Sequence, residues 1–115
     1  MTSEELNQRL LKNFPHLEES YQIEINWQDG DATGSQIVYS DIFTPFITKS
    51  ILSMNDQAVK TIFSFVEEIL QLNDVYCTEV ITVSVLENIQ DLLQEESWAK
   101  DYMGNRTREL MMMLD

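Results

Sequence analysis

The chain has 115 residues, 43% of them apolar, with only two prolines and three glycines. That fits one domain around a single core and argues against a collagen-like or disordered chain. Twenty acidic and seven basic side chains give a formal charge of −13, a balance that repels nucleic acid and anionic membranes and attracts cationic partners.

The acidic excess is unevenly placed. No Lys or Arg lies between Lys12 and Lys49, where Glu18, Glu19, Glu24, Asp29, Asp31 and Asp41 stand. None lies between Lys60 and Lys100, against Glu67, Glu68, Asp74, Glu79, Glu87, Asp91, Glu95 and Glu96. Cys77 is the only cysteine, so neither an internal disulfide nor a thiol metal cluster is expected. The first residues, Met1-Thr2-Ser3-Glu4-Glu5, lack the basic start and apolar run of a signal peptide. No apolar stretch is long enough to span a bilayer. A cytoplasmic protein is expected.

Thr2, with Glu5 three residues on, forms the pattern of a capping box. Leu6, Leu10, Leu11 and Phe14 follow at helical spacing, and Pro15 ends the run. The next segment reads two ways. Pro15 can open a second helix with Leu17, Tyr21 and Ile25 on one face. Tyr21, Ile23, Ile25 and Trp27 also alternate with polar residues, as a strand paired with residues 36–39 would. Residues 28–35 carry the longest loop signal.

Beyond that loop, Ser40 or Asp41 is positioned to cap a helix carrying Ile42, Phe43, Phe46, Ile47, Ile51 and Leu52, and Thr44 before Pro45 is an equal candidate. Asn55 caps the clearest helix, whose wide apolar face from Ala58 to Leu72 marks it as central. After a turn at Asn73-Asp74, residues 75–93 are rich in β-branched side chains. Their length and near-helical spacing still favour a helix, antiparallel to the one before. Asn105 can cap a last short helix ending in Met111-Met112-Met113-Leu114. The expected architecture is mainly α: one domain over residues 1–115, a compact bundle of about five helices around a central antiparallel hairpin. An α+β fold with a small hairpin at residues 21–39 is the alternative.

Catalytic chemistry finds little support. His16 is the only histidine and has no Cys or second His nearby, so a nucleophile, base and orienting group cannot be assembled around it. Asp29, Asp31, Thr33 and Gly34 match the first half of a calcium loop, but Ser40 stands where a bidentate Glu is needed. No enzyme, cofactor or metal is therefore expected. Glu87 and Asp91 are one helical turn apart. With Glu67 or Glu68 on the neighbouring helix they would form an acidic ridge, either a plain solvated face or a set of acceptors for Lys and Arg of a partner.

The order of features resembles an uncharacterised family. It runs from a helix ending in Phe14-Pro15, through Trp27-Gln28-Asp29-Gly30, to the segment Ser35 to Phe43. The helix over residues 56–72 and the run Glu79 to Ile89 follow, with Met103-Gly104-Asn105-Arg106-Thr107-Arg108 near the end. The family is one of small acidic bacterial helical proteins, thought to act as immunity proteins of polymorphic toxin systems. The resemblance implies an all-helical fold, tilting residues 15–27 and 75–93 toward helix. It also implies a protein that neutralises a cognate toxin domain by covering its active site, and the charge of this chain leads to the expectation that the domain is basic. The expected contact set is Trp27, Asp29, Asp31, Tyr39, Asp41, Glu67, Glu68, Glu87 and Asp91, with Trp98 a further aromatic anchor. A monomer or weak dimer without nucleic acid or membrane partners is expected. The alternative is an acidic nucleic-acid mimic that inhibits or regulates a DNA-binding protein.

Overall fold

In the computed structural model, residues 1–27 and 34–114 are described, Trp27 by its backbone alone. Thr2 opens helix α1 (Ser3–Asn13) as its spacing predicts: its hydroxyl accepts from the Glu5 amide at 3.1 Å, and the Glu5 carboxylate accepts from the Thr2 amide at 3.0 Å. Leu6, Leu10 and Leu11 turn inward. Phe14 ends the helix, and a 3-10 turn over Pro15–Leu17 leads into α2 (Glu18–Trp27). The alternating pattern of residues 21–27 is therefore not a strand. Leu17 and Tyr21, four apart, go inward while Ile23 stays 62% exposed, as a helical period requires. No strand occurs among the described residues, and the α+β alternative is set aside.

Helix α3 covers residues 35–52 in three continuous parts, Ser35–Val38, Tyr39–Phe43 and Thr44–Leu52, the middle one with π geometry. None of Ser40, Asp41 or Thr44 caps it, contrary to expectation, because the helix has already begun at Ser35. Its first amide donates to the Ser3 hydroxyl of α1 at 2.7 Å. The cap is tertiary, which local sequence cannot announce. After the turn at Ser53–Met54, Asn55 accepts from the Ala58 amide at 3.2 Å and opens α4 (Asp56–Leu70) as predicted.

Helix α5 covers residues 75–95 in the parts Val75–Val80, Ile81–Leu86 and Glu87–Glu95, again with a π segment in the middle. Asp74 caps it, accepting from the Cys77 amide at 3.0 Å. The sequence explains the wider turn. Cys77, Ile81, Val85, Ile89 and Leu93 recur every four residues and are all buried. In an unbroken α-helix each four-residue step drifts by about 40°, so the row would move from core to solvent along its length. The π segment unwinds that drift and keeps the row facing inward.

The π segments of α3 and α5 pack against each other. Thr44 joins them. Its hydroxyl lies 2.9 Å from the Tyr39 carbonyl within α3 and 2.8 Å from the Ser84 carbonyl of α5. Each carbonyl also has another donor, the Thr44 amide for Tyr39 and the Asn88 side chain for Ser84, so the hydroxyl adds a tie between the two helices where the ordinary helical ladder is interrupted.

A 3-10 turn over Ser97–Tyr102 leads to α6 (Asn105–Leu114). The described residues thus hold six α-helices and two 3-10 turns rather than about five helices. Helix α4 is central: it packs on the last part of α3, the first part of α5, the second 3-10 turn and α6. The expected hairpin is present at the 71–74 turn, but beyond its first part α5 leans on α3. Phe14, Phe43 and Phe65 meet with ring centroids 5.5–5.7 Å apart in one aromatic cluster. The radius of gyration, 13.5 Å, is that of a single compact domain of this length.

Candidate functional site

Whether the acidic excess reaches the surface as free charge depends on how many carboxylates are neutralised. Among the described residues three ion pairs form: the Met1 amino group with Asp74 (2.6 Å), Arg9 with Glu68 (3.9 Å) and Arg106 with Glu109 (3.4 Å). Arg108 instead donates to the backbone carbonyls of Met103 (3.1 Å) and Lys100 (2.9 Å). Among the described residues most carboxylates stand outside these ion pairs.

The clearest stretch of it lies on the outer face of α5. Val75, Glu79, Val83, Glu87, Asp91 and Glu95 recur every four residues and are all exposed. The π segment that holds one four-residue row in the core holds this one outside. Successive members are about 6 Å apart along the axis. Glu79, Glu87, Asp91 and Glu95 form no ion pair among the described residues. At the N-terminal end of this face an open cleft of about 460 Å³ is lined by Asn73, Val75, Thr78, Glu79, Thr82, Val83 and Arg106. Val75 is 84% and Val83 49% exposed, large apolar groups held in water on an otherwise acidic helix.

The residues expected to make contact are dispersed. Asp29 and Asp31 lie outside the described residues, as does the side chain of Trp27. Asp41 is exposed in the π part of α3, and Glu87 and Asp91 are exposed on α5. Tyr39 is a correction: it is fully buried, and its hydroxyl donates to the Leu6 carbonyl at 2.7 Å. Burial raises its phenol pKa well above the usual value. It is a strut between α1 and α3 and is not available as a surface anchor. Trp98 is half-buried, its indole N–H donating to Glu96 at 3.1 Å.

Glu67 is a second correction. Its carboxylate accepts from the Thr107 amide (3.0 Å), the Thr107 hydroxyl (2.9 Å) and the Arg106 amide (3.2 Å), capping α6 from a distance. Burial pushes this carboxyl up, but hydrogen bonds from Gln71, Thr107 and Arg106 outweigh it and leave the pKa lowered. Glu68, its exposed neighbour, reaches toward Arg9. Both glutamates sit at the end of α4 that turns into Val75, whereas Glu87 is about 18 Å further along α5. The ridge therefore runs along α5 alone and does not bridge the two helices.

Glu79, Val75, Val83 and Arg106 were not in the expected set. For the first three the signal in the sequence is the four-residue repeat itself, visible as Val-Glu-Val-Glu-Asp-Glu at residues 75, 79, 83, 87, 91 and 95, whereas Arg106 lies on α6 and nothing local marks it. His16 is exposed with its ring 4.5 Å from that of Phe46. The Cys77 thiol is buried, and burial and the Asp74 carboxylate push its pKa up to about 11, so it stays protonated and unreactive. Among the described residues no three His, Cys, Asp or Glu side chains converge on one point, and no helix is long and apolar enough to cross a membrane.

Residues 7–114 match a family described as a domain of unknown function, DUF7674, and the chain belongs to that family. No curated protein and no solved structure matches the chain.

Proposed function

We propose that this DUF7674 domain is an immunity protein, which binds a cognate basic toxin domain in the cytoplasm and neutralises it by covering its active site. The observation that carries the reading is the outer face of α5, where Glu79, Glu87, Asp91 and Glu95 stand exposed and without ion pairs among the described residues. A rigid row of unneutralised carboxylates steers a cationic partner from a distance and supplies charge-assisted hydrogen bonds on contact. The fold supports the same reading, since a helix buried along one side holds the row in place without help from the partner.

The second reading, a nucleic-acid mimic directed at a DNA-binding protein, draws on the same carboxylates. Their spacing argues against it. Duplex DNA carries one charge per about 1.7 Å of axis, whereas carboxylates at four-residue spacing on a helix are about 6 Å apart. A protein that reads phosphate density would meet a much sparser row.

The test is protection in cells. The candidate toxin is the variable C-terminal domain of a large secreted protein, to be sought among the products of neighbouring genes. Expressing that toxin domain with and without this protein should show growth only when both are present, and the two should co-purify. Continued killing in the presence of well-folded, abundant protein would rule the proposal out.

A further inference from the structure

The cleft at the start of α5 combines two properties that a merely solvated acidic face does not need. It is lined by the exposed valines Val75 and Val83, with Thr78, Thr82 and the carboxylate-bearing Glu79 among them. From Val83 the same row continues as Glu87, Asp91 and Glu95. Arg106 forms one wall. Its Nη1 lies 3.4 Å from Glu109, and its buried Nε has no acceptor.

We infer that this face is the docking site for a basic amphipathic helix of the partner, which seats apolar side chains in the cleft against Val75 and Val83 and sets Lys or Arg side chains against Glu79, Glu87, Asp91 and Glu95. The inference rests on the binding function proposed above and names the surface and the element that meets it. Charge complementarity selects the occupant. A second copy of this chain or a nucleic acid would bring negative charge onto a negative face. A plain polycation would leave the two valines in water, whereas apolar side chains set against them remove that surface from solvent. An extended segment is also a poor fit, since the side of a helix offers no backbone donors or acceptors and the segment's own amides would go unpaired. A helix satisfies its own backbone and repeats at the rise of α5, so contacts can recur along the whole row.

The test uses a labelled helical peptide whose single face carries Leu flanked by Lys at four-residue spacing, with a second peptide in which each Leu is Ser. Binding is read by fluorescence anisotropy and by amide shifts in NMR spectra of the full chain. The Leu peptide is expected to shift Val75, Thr78 and Val83 and to bind at least tenfold more tightly than the Ser peptide. Val83→Asp should abolish that preference. Val75→Asp should do the same, and at so exposed a position it leaves the fold intact. Leu52→Asp, on exposed α3 surface, should change nothing. Equal binding of both peptides, shifts centred elsewhere, or a preference that survives both valine substitutions would overturn the inference. The two proposals fail separately. A toxin neutralised equally by the valine variants refutes this docking site and leaves the function standing. A peptide seated on the valines, with no toxin neutralised, does the reverse.

Discussion

The carboxylate of Glu67 fills the space that a side chain on Gly104 would occupy, so close that a Cβ there would overlap its Cγ and Cδ. Glycine is needed at that point because the cap of α6 comes from another helix. Gly104→Ala is expected to lower stability by about 1–3 kcal/mol, the usual range for overpacking. In a Glu67→Ala background the obstruction is gone, and the same substitution should be neutral to within about 0.5 kcal/mol. Urea denaturation of the four proteins in the cycle decides it. Additive effects would mean that the two residues do not compete for one space.

Thr44→Val tests the link between the two π segments. The substitution keeps the shape and removes the hydroxyl that lies against the Tyr39 and Ser84 carbonyls. Neither carbonyl is orphaned, because the Thr44 amide still donates to Tyr39 and the Asn88 side chain to Ser84. The expected loss is therefore that of one ordinary hydrogen bond, about 1 kcal/mol, and Thr44→Ser should restore most of it. A valine variant as stable as the wild type would show that the hydroxyl is not a cross-link.

Met54 holds φ 56°, a left-handed conformation, at the C-terminal turn of α3. The Asn55 amide closes that turn on the Ser50 carbonyl at 2.9 Å, a position that glycine usually fills. Met54 is 66% exposed and contributes little packing. Met54→Gly should raise stability by about 1 kcal/mol, read as a higher melting temperature. Unchanged or lower stability would contradict the assignment of strain.

Asp74 gives a pH signature. Hydrogen bonds from the Met1 amino group and from the Cys77 amide lower its pKa from 3.8 to about 2. A carboxylate whose folded pKa is depressed adds stability above its unfolded value and loses it as pH falls through the folded one. Asp74→Asn keeps a cap for the Cys77 amide and removes the charge. The melting-temperature gap between wild type and variant should hold steady between pH 3.8 and about 8, where the Met1 amino group keeps its proton, and close as pH drops toward about 2. A gap that does not change with pH would show that the charge plays no part.

The helices were legible where their signals are local. Thr2 and Asn55 cap as their neighbours dictate, and the inward row of α4 follows from its spacing. What the sequence hid was supplied from a distance. Ser3 caps α3, Glu67 caps α6, and neither stands next in sequence to the turn it serves. Tyr39 looked like a surface anchor because its aromatic ring and polar tip suit an interface equally well. Only the meeting of α1 with α3 turns that tip inward onto the Leu6 carbonyl. The acidic face was half legible: Glu87 and Asp91 stood out as a pair, while the longer row needed the π segment to bring Val75, Glu79 and Val83 into line with them.

Titration calorimetry against the proposed toxin domain tests the central claim most directly, with the wild type compared with Glu87→Lys/Asp91→Lys and with Glu19→Lys on α2. The α5 carboxylates should make binding weaken as salt rises from about 50 to about 500 mM, where the screening length falls from about 14 Å to about 4 Å, below the spacing of neighbouring carboxylates. The α5 double variant should lose at least tenfold in affinity, and Glu19→Lys much less. Binding that ignores salt and tolerates charge reversal on α5 would contradict the account.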